Sequence, residues 1–116
     1  MTATVDVLDH HLKCFGEGDL EGLMADYASE ALFFTPAGLL KTPDAIRSIF
    51  QRILTEFAQP GTTLVMRQRA IEGDYACIVW SADTAANVYE IGTDTFVIRN
   101  GKIVMQTFAA KITSKH

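Results

Sequence analysis

The sequence predicts an α+β domain in which three N-terminal helices pack on a curved, mostly antiparallel sheet and enclose a pocket. Three segments before residue 58 carry apolar residues at helical spacing. After the breaker Gln59-Pro60-Gly61, the remaining segments are apolar runs separated by short turns, which is typical of strands in a meander. Because helices and strands are segregated along the chain, a parallel doubly wound sheet is excluded.

Two helices are predicted at the N-terminal end, and each has an apolar stripe that must face a core. The first covers about residues 3 to 16, ends at Gly16-Glu17-Gly18 and has a stripe of Val5, Leu8, Leu12 and Phe15. Asp19 can cap a short second helix, whose stripe consists of Leu20, Leu23, Met24 and Tyr27.

The third helix is predicted to begin at Thr42-Pro43-Asp44, because a capping hydroxyl followed by proline at the first helical position is a typical start. Its stripe is the clearest in the chain and consists of Ile46, Ile49, Phe50, Ile53, Leu54 and Phe57.

A short strand is predicted between the second and third helices, from Ala31 to Thr35, where Pro36 closes an apolar run. Four long strands follow the third helix: Thr62 to Glu72, Tyr75 to Asp83, Val88 to Arg99 and Lys102 to Thr113. Long strands twist and bend, and Gly92 inside one of them favours a concave sheet. We expect the helices to fill this concavity incompletely, which leaves the pocket.

Composition and charge limit the class of function. With 116 residues, 48% hydrophobic and 21% charged, the chain is expected to form a single domain over residues 1–116. The net charge is −4 and the Lys and Arg residues are scattered, so neither nucleic acid nor an anionic membrane is an expected partner. The start lacks a basic segment followed by an apolar one, and the longest strongly apolar stretch is far too short to span a bilayer, which predicts a cytoplasmic protein.

No motif in the sequence indicates a cofactor or a metal. It has no phosphate-binding glycine loop, no zinc motif and no nucleophile elbow. Cys14 and Cys77 are far apart and are expected to be buried apolar residues rather than ligands or disulfide partners. A small hydrophobic molecule is therefore the expected ligand.

The two adjacent histidines are expected to differ in orientation. At about 100° per residue, His11 flanks the stripe of the first helix and can face the core, whereas His10 points nearly opposite and is expected to be solvated. Histidine titrates near neutral pH, which makes His11 the best candidate for a catalytic acid or base. Packing at the margin of the apolar face is the structural alternative.

Asp94 is the second candidate for chemistry. It alternates with Phe96 and Ile98 in its strand and therefore shares their apolar face. Burying an unpaired carboxylate costs free energy, so Asp94 must be hydrogen-bonded to a partner, protonated or in contact with water. It lies in the pocket or, alternatively, at a strand end where it reaches backbone amides. A two-residue turn at Asn100-Gly101 sets Asp94 opposite Thr107, and a three-residue turn with a bulge sets it opposite Gln106.

Other residues are weaker candidates for the lining of the pocket. Tyr27 and Thr35 end their predicted elements and are candidates for the rim where helices meet the sheet. For Tyr27 the favoured alternative is a core position with a hydrogen-bonded hydroxyl. Trp80 is expected in the core or at a dimer contact, with ligand stacking as the alternative, and Phe108 is also assigned to ligand binding. Asp26 is expected to be a solvated helix residue.

Three segments of the chain resemble a known superfamily. They are Gly18-Asp19-Leu20-Glu21-Gly22-Leu23 before Tyr27-Ala28, Phe33-Phe34-Thr35-Pro36-Ala37-Gly38, and Gly92-Thr93-Asp94-Thr95-Phe96 running into Arg99-Asn100-Gly101-Lys102-Ile103. Taken together they resemble the nuclear transport factor 2-like superfamily, and in particular its SnoaL-like and ketosteroid isomerase-like bacterial members. The resemblance covers nearly the whole chain and implies a cone-shaped fold, which hosts many functions.

The resemblance also implies roles for individual residues. His11 falls where ketosteroid isomerases have their oxyanion-binding tyrosine, and Asp94 falls where they have the protonated aspartate of the oxyanion hole. Thr35 falls where the catalytic aspartate base should be, so steroid isomerisation by the standard mechanism is not expected. The same comparison faces Gln106 into the pocket and favours the bulged turn.

Two functions are compatible with these observations. In the first, His11 supported by Asp94 acts as a general acid or base on a small lipophilic compound, as in an isomerase, dehydratase or hydrolase, while Tyr27 or Gln106 holds its oxygen. In the second, the domain is a non-catalytic binding or dimerisation module. A homodimer is expected because the sheet face away from the helices carries exposed Val and Ile residues.

Overall fold

The computed structural model describes residues 3–116. This part of the chain begins with two helices and ends with four long strands. The helices are α1 (Thr4–Glu17), α2 (Leu20–Met24) and α3 (Pro43–Phe57), and the strands are β1 (Tyr27–Thr35), β2 (Gly38–Leu40), β3 (Thr63–Glu72), β4 (Tyr75–Asp83), β5 (Asn87–Arg99) and β6 (Lys102–Ser114).

The strands of the described residues form one six-stranded sheet in the order β2-β1-β6-β5-β4-β3. β3 to β6 are an antiparallel meander, and β1 pairs antiparallel with β2 but parallel with β6. The helices pack on one face of this curved, unclosed sheet. The predicted α+β class is therefore confirmed.

Local signals define the ends of the two long helices. Gly18 adopts the left-handed conformation that ends α1, with a φ of 69°, and its amide donates to the carbonyl of Phe15. Thr42 caps α3 by accepting a hydrogen bond from the amide of Ala45 at 3.1 Å. No helix within residues 3–116 has the length and apolar character needed to cross a bilayer.

Two elements between α1 and α3 differ from the prediction. Tyr27 is the first residue of β1 and not the last residue of the α2 stripe. It pairs with Ile103 of β6, whose amide donates to the carbonyl of Asp26 at 2.7 Å. This pairing between distant strands outweighs the local helical spacing. The short strand β2, which folds back on the end of β1 at Gly38, was not predicted.

The hairpin between β5 and β6 contains both a tight turn and a bulge. Asn100 and Gly101 have φ values of 54° and 75°, which is the geometry of a two-residue hairpin turn. Three residues later Val104 has no partner in β5, and the register of the strands shifts by one residue.

This bulge makes both predicted registers wrong. Asp94 lies opposite Phe108, rather than opposite Thr107 or Gln106. Gln106 pairs with Phe96 and is therefore diagonal to Asp94 on the same face of the sheet. The prediction allowed for a bulge only at the turn itself, whereas the observed bulge lies in β6, beyond the turn.

Gly92 has a more specific role than allowing curvature. It pairs with Trp80 across β4 and β5, and a Cβ atom at this position would lie 2.4 Å from two ring carbons of Trp80. The missing side chain therefore provides the space in which the Trp80 ring lies across β5.

Candidate functional site

The concave face of the sheet, together with α1 and α3, surrounds a cavity of about 280 Å³. Most of its wall is aromatic or aliphatic, and its rings include Phe33, Phe50, Phe57, Trp80, Phe96 and Phe108. Four lining residues are exposed, so the cavity opens to solvent on the side formed by Arg52, Leu64, Met66 and Ile112. We call this side the mouth.

Asp94 places a buried carboxyl in the wall of the cavity. Its Oδ1 accepts a hydrogen bond from Trp80 Nε1 at 2.8 Å, and its Oδ2 accepts one from Gln106 Nε2 at 2.9 Å. Burial raises the pKa of the Asp94 carboxyl, although these two hydrogen bonds and the charge of His11 act in the opposite direction. Asp94 therefore exchanges its proton closer to neutral pH than an exposed aspartate does.

Tyr27 connects Asp94 with His11. Its hydroxyl donates to Gln106 Oε1 at 2.5 Å and lies 3.3 Å from His11 Nε2. Burial, and then the nearby carboxylates, raises the pKa of Tyr27 well above its ordinary value, so the hydroxyl keeps its proton. We call the resulting chain of five buried side chains the buried network; it consists of His11, Tyr27, Gln106, Asp94 and Trp80.

The prediction that Asp26 is solvated is wrong, whereas His10 is exposed as predicted. Asp26 lies between α2 and β1, where the chain turns back onto α1, and it is buried. Its carboxylate contacts both histidines: His10 Nδ1 lies 2.8 Å from Oδ1, and His11 Nδ1 lies 3.2 Å from Oδ2. The His10 side chain makes this contact while it remains exposed to solvent. Asp26 therefore orients the His11 ring from the side opposite Tyr27.

The structure brings most, but not all, of the predicted site residues to the cavity. Tyr27 lies behind the wall and takes part only through its hydroxyl. Thr35 lies at the turn between β1 and β2, where its hydroxyl donates to the carbonyl of Gly38 at 2.9 Å, and borders a separate hollow. The predicted site residues that do line the central cavity are His11, Trp80, Asp94, Gln106 and Phe108.

His11 and Asp94 do not form a direct pair. Tyr27 and Gln106 stand between them, and each makes a hydrogen bond to the next group in the buried network. The imidazole and the carboxyl can therefore influence each other through two intervening side chains and through their charges.

A second carboxylate in the lining, that of Glu56, was not predicted from the sequence. It accepts hydrogen bonds from the Thr84 hydroxyl at 2.6 Å, the Asn87 amide at 3.0 Å and the Tyr89 hydroxyl at 2.9 Å. Burial favours a higher pKa for Glu56, but these three donors outweigh it and hold the pKa below its ordinary value. Glu56 follows Ile53 by three residues, so it lies beside the apolar stripe of α3. This spacing is visible in the sequence and could have indicated that Glu56 lies near the cavity.

Cys14 lies close to the histidines without acquiring the properties of a nucleophile. Its Sγ is 3.5 Å from His10 Nε2. The thiol is buried, however, and burial together with nearby carboxylates raises its pKa, so it remains protonated. Cys14 is the buried apolar residue that was predicted, whereas Cys77 is only half-buried.

Hydrogen bonding and proton exchange are the chemistry that these side chains themselves supply. Within residues 3–116, no three His, Cys, Asp or Glu side chains are arranged to hold a metal ion. Every buried side-chain nitrogen or oxygen in the same part of the chain has a hydrogen-bond partner. The buried polar side chains of the cavity are therefore held in place by hydrogen bonds.

Comparison with known proteins identifies the family. Residues 8–106 match the profile of the SnoaL-like domain. The chain belongs to the SnoaL-like family. The match covers most of the sequence, and it confirms the resemblance inferred from the sequence. No curated protein shows significant sequence similarity to this SnoaL-like chain.

Solved structures with the same fold support this assignment. A protein from Kribbella flavida is 14% identical with a TM-score of 0.82, over 96% of this chain and 88% of the other. A nuclear transport factor 2-like protein of unknown function from Mesorhizobium loti is 21% identical with a TM-score of 0.75, over 93% and 90%. TerC, co-crystallised with polyporic acid, is 14% identical with a TM-score of 0.75, over 95% and 92%. At these identities the similarity shows the fold alone.

The Asp94→Asn substitution is expected to stabilise this SnoaL-like domain in a pH-dependent way. Burial raises the Asp94 pKa above the ordinary value of 3.8, so the folded state holds a proton that the unfolded chain has lost. Stability falls as pH rises through the window between those two pKa values. The Asn variant lacks this dependence. Its melting temperature should match that of the wild type near pH 3 and exceed it increasingly toward neutral pH. Each kcal/mol of difference in the free energy of unfolding corresponds to roughly 4 °C.

The matched control is Glu56→Gln, which removes a carboxylate with the opposite shift. The lowered pKa of Glu56 contributes stability above the ordinary pKa, and this contribution is lost as pH falls. The Gln variant should therefore become less stable than the wild type as pH rises. Thermal unfolding followed by circular dichroism between pH 3 and 8 measures both differences. An Asn variant that loses stability toward neutral pH would contradict the assignment of Asp94.

Proposed function

We propose that this SnoaL-like domain binds a small lipophilic compound in the cavity and exchanges protons with it at Asp94. One observation carries the proposal: a buried carboxyl with acceptor positions to spare lies in the wall of an otherwise largely apolar hollow of about 280 Å³. An apolar hollow with a few convergent polar groups is typical of a small-molecule site.

The aromatic wall favours a ligand with a ring or another compact apolar body. Trp80 and Phe108 are stacked with ring centroids 6.2 Å apart, and both line the cavity. A flat apolar ligand can contact such faces with favourable offset or edge geometry. The relative TerC was co-crystallised with polyporic acid, which supports small-molecule binding for this fold.

Asp94 is the group best placed to touch the ligand. Each of its oxygens accepts one hydrogen bond, from Trp80 or Gln106, so a carboxylate retains further lone pairs. Its raised pKa brings proton exchange closer to neutral pH, where a general acid or base is most effective. His11 has both ring nitrogens engaged and acts on Asp94 through the buried network.

The buried network can hold its shared proton at either end. With Asp94 ionised, Tyr27 donates to Gln106, so the two His11 contacts are complete only when both ring nitrogens carry hydrogen. With Asp94 protonated, a flip of the Gln106 amide lets Asp94 donate to Oε1, Nε2 donate to Tyr27, and Tyr27 donate to a neutral His11. The two arrangements contain the same number of protons, and each satisfies every hydrogen bond.

Binding in the cavity can be tested with N-phenyl-1-naphthylamine, an apolar dye whose fluorescence rises in apolar surroundings. Ile53→Phe adds volume to the lining and should weaken dye binding about tenfold or more, because an overfilled cavity excludes the ligand. The matched control Ile91→Phe changes an exposed residue outside the lining and should leave binding unchanged. Equal binding by both variants would place the dye elsewhere.

Proton exchange can be tested by following the α-hydrogens of 2-tetralone in D2O by NMR. The Asp94 carboxylate would take a proton from the carbon beside the carbonyl, the C–H electron pair would move toward the carbonyl oxygen, and a deuteron from solvent would replace the proton. Asp94→Asn should slow the catalysed exchange by about 100-fold or more. Asp74→Asn, at an exposed turn, serves as the matched control.

The exchange experiment separates the two functions. If the wild type binds the dye but exchanges no α-hydrogen faster than the solution, the non-catalytic binding module becomes the better description. If exchange is accelerated and Asp94→Asn has no effect, binding in the cavity stands and the role of Asp94 does not.

We also propose that two chains associate through the outer face of the sheet. The centre of this face is uncharged and only half-buried, and it consists of Cys77, Val79, Thr95, Val97, Met105 and Thr107. Phe34 of β1 borders it and is 42% exposed. A continuous apolar face of this kind is typical of an interface between protein chains.

Light scattering coupled to size exclusion tests the association. The wild type should have about twice the chain mass of 12.8 kDa. Val79→Lys should return it to the mass of one chain, because a charge at the centre of an apolar interface must be desolvated. Thr63→Lys, on the exposed edge strand β3, should leave the mass unchanged. A single-chain mass for the wild type would refute the dimer.

A further inference from the structure

Arg52 differs from the other arginines of the chain in its contacts. Three of the five arginines form ion pairs and a fourth, Arg67, donates to Ser81. Arg52 makes neither kind of contact within residues 3–116, although it lines the mouth of the central cavity. It also lines the second hollow, beside Thr35 and Ser48, so Arg52 and its neighbour Ile49 border both hollows.

The neighbours of Arg52 in α3 explain why it forms no ion pair with the residues that the structure describes. Glu56 lies four residues later, at the spacing where opposite charges on a helix usually pair. Its carboxylate instead accepts three hydrogen bonds from Thr84, Asn87 and Tyr89. The residue four positions before Arg52 is the uncharged Ser48. Glu56 therefore does not pair with Arg52, whose side chain lines the mouth.

We propose that the cavity takes an organic acid whose ionised group pairs with Arg52 at the mouth while its apolar body enters the aromatic hollow. This inference rests on the proposed binding function and specifies the class of ligand. A guanidinium presents parallel N–H donors that match a carboxylate or another organic anion. The buried carboxyl of Asp94 disfavours an anion deeper in the cavity. The acid group is thus directed outward, and a neutral oxygen of the ligand faces Asp94.

Two dyes with the same aromatic skeleton provide the test. 8-Anilinonaphthalene-1-sulfonate carries an ionised sulfonate, and N-phenyl-1-naphthylamine lacks it. The wild type should bind the sulfonate dye more tightly than the neutral dye. Arg52→Gln should weaken binding of the sulfonate dye about tenfold, because a charged hydrogen-bond donor is lost, and should leave the neutral dye within about twofold.

Matched variants and salt make the test specific. Arg47→Gln removes an arginine of the same helix that pairs with Glu21, and it should change the binding of neither dye. Arg52→Lys retains the charge and should retain part of the preference for the sulfonate dye. Raising the salt concentration should weaken binding of the sulfonate dye to the wild type while leaving the neutral dye unaffected. This last measurement needs no variant and so does not depend on how Arg52→Gln folds.

The possible failures are distinguishable. If Arg52→Gln leaves sulfonate binding unchanged, or weakens both dyes equally, the assignment of Arg52 is overturned while the binding function stands. If the wild type binds neither dye, the proposed binding function itself fails and takes this inference with it.

Discussion

The burial of the Asp94 carboxyl against an aromatic wall is the constraint on which the rest of the cavity depends. A carboxyl in such surroundings needs donors, and Trp80 and Gln106 supply one each. Trp80 can do so because Gly92 leaves space for its ring. Gln106 can do so because the bulge at Val104 sets it opposite Phe96 on the inner face, diagonal to Asp94, rather than opposite Thr95 on the outer face. The glycine and the bulge are thus parts of the site, although neither residue contributes a functional group.

Local sequence signals were enough for most of the fold. The stripe and end signals of α1 and α3 predicted both helices, and the breakers between apolar runs predicted the meander from β3 to β6. The predicted secondary structure is wrong where pairing with a strand distant in sequence determines the local conformation. Tyr27 fits the helical stripe of α2, yet pairing with Ile103 of β6 makes it the start of β1. No local pattern contains information about that partner, which is 76 residues away.

A site residue was predictable where a single helix or strand determines which way its side chain points. Strand alternation directed Asp94 to the inner face, and the helical angle directed His11 toward the core; both line the cavity. Asp26 was missed because its burial depends on where α2 ends and on how the chain returns to α1. Glu56 was missed although it lies beside the α3 stripe, because its role depends on donors from the bend between β4 and β5.

Charge is distributed unevenly along the cavity, with an exposed arginine at its mouth and a buried carboxyl in its wall. Structures with 14% identity share the scaffold, so the scaffold alone cannot specify a ligand. Thr35 stands outside the cavity, so the titratable groups of the lining are those of His11, Asp94, Glu56, Tyr89 and Arg52. Because Glu56 is occupied by three donors, the positive charge at the mouth is not neutralised by its helical neighbour. In the proposed binding mode, a ligand would meet the guanidinium of Arg52 first, the apolar wall next and the Asp94 carboxyl last, and that order would define its orientation.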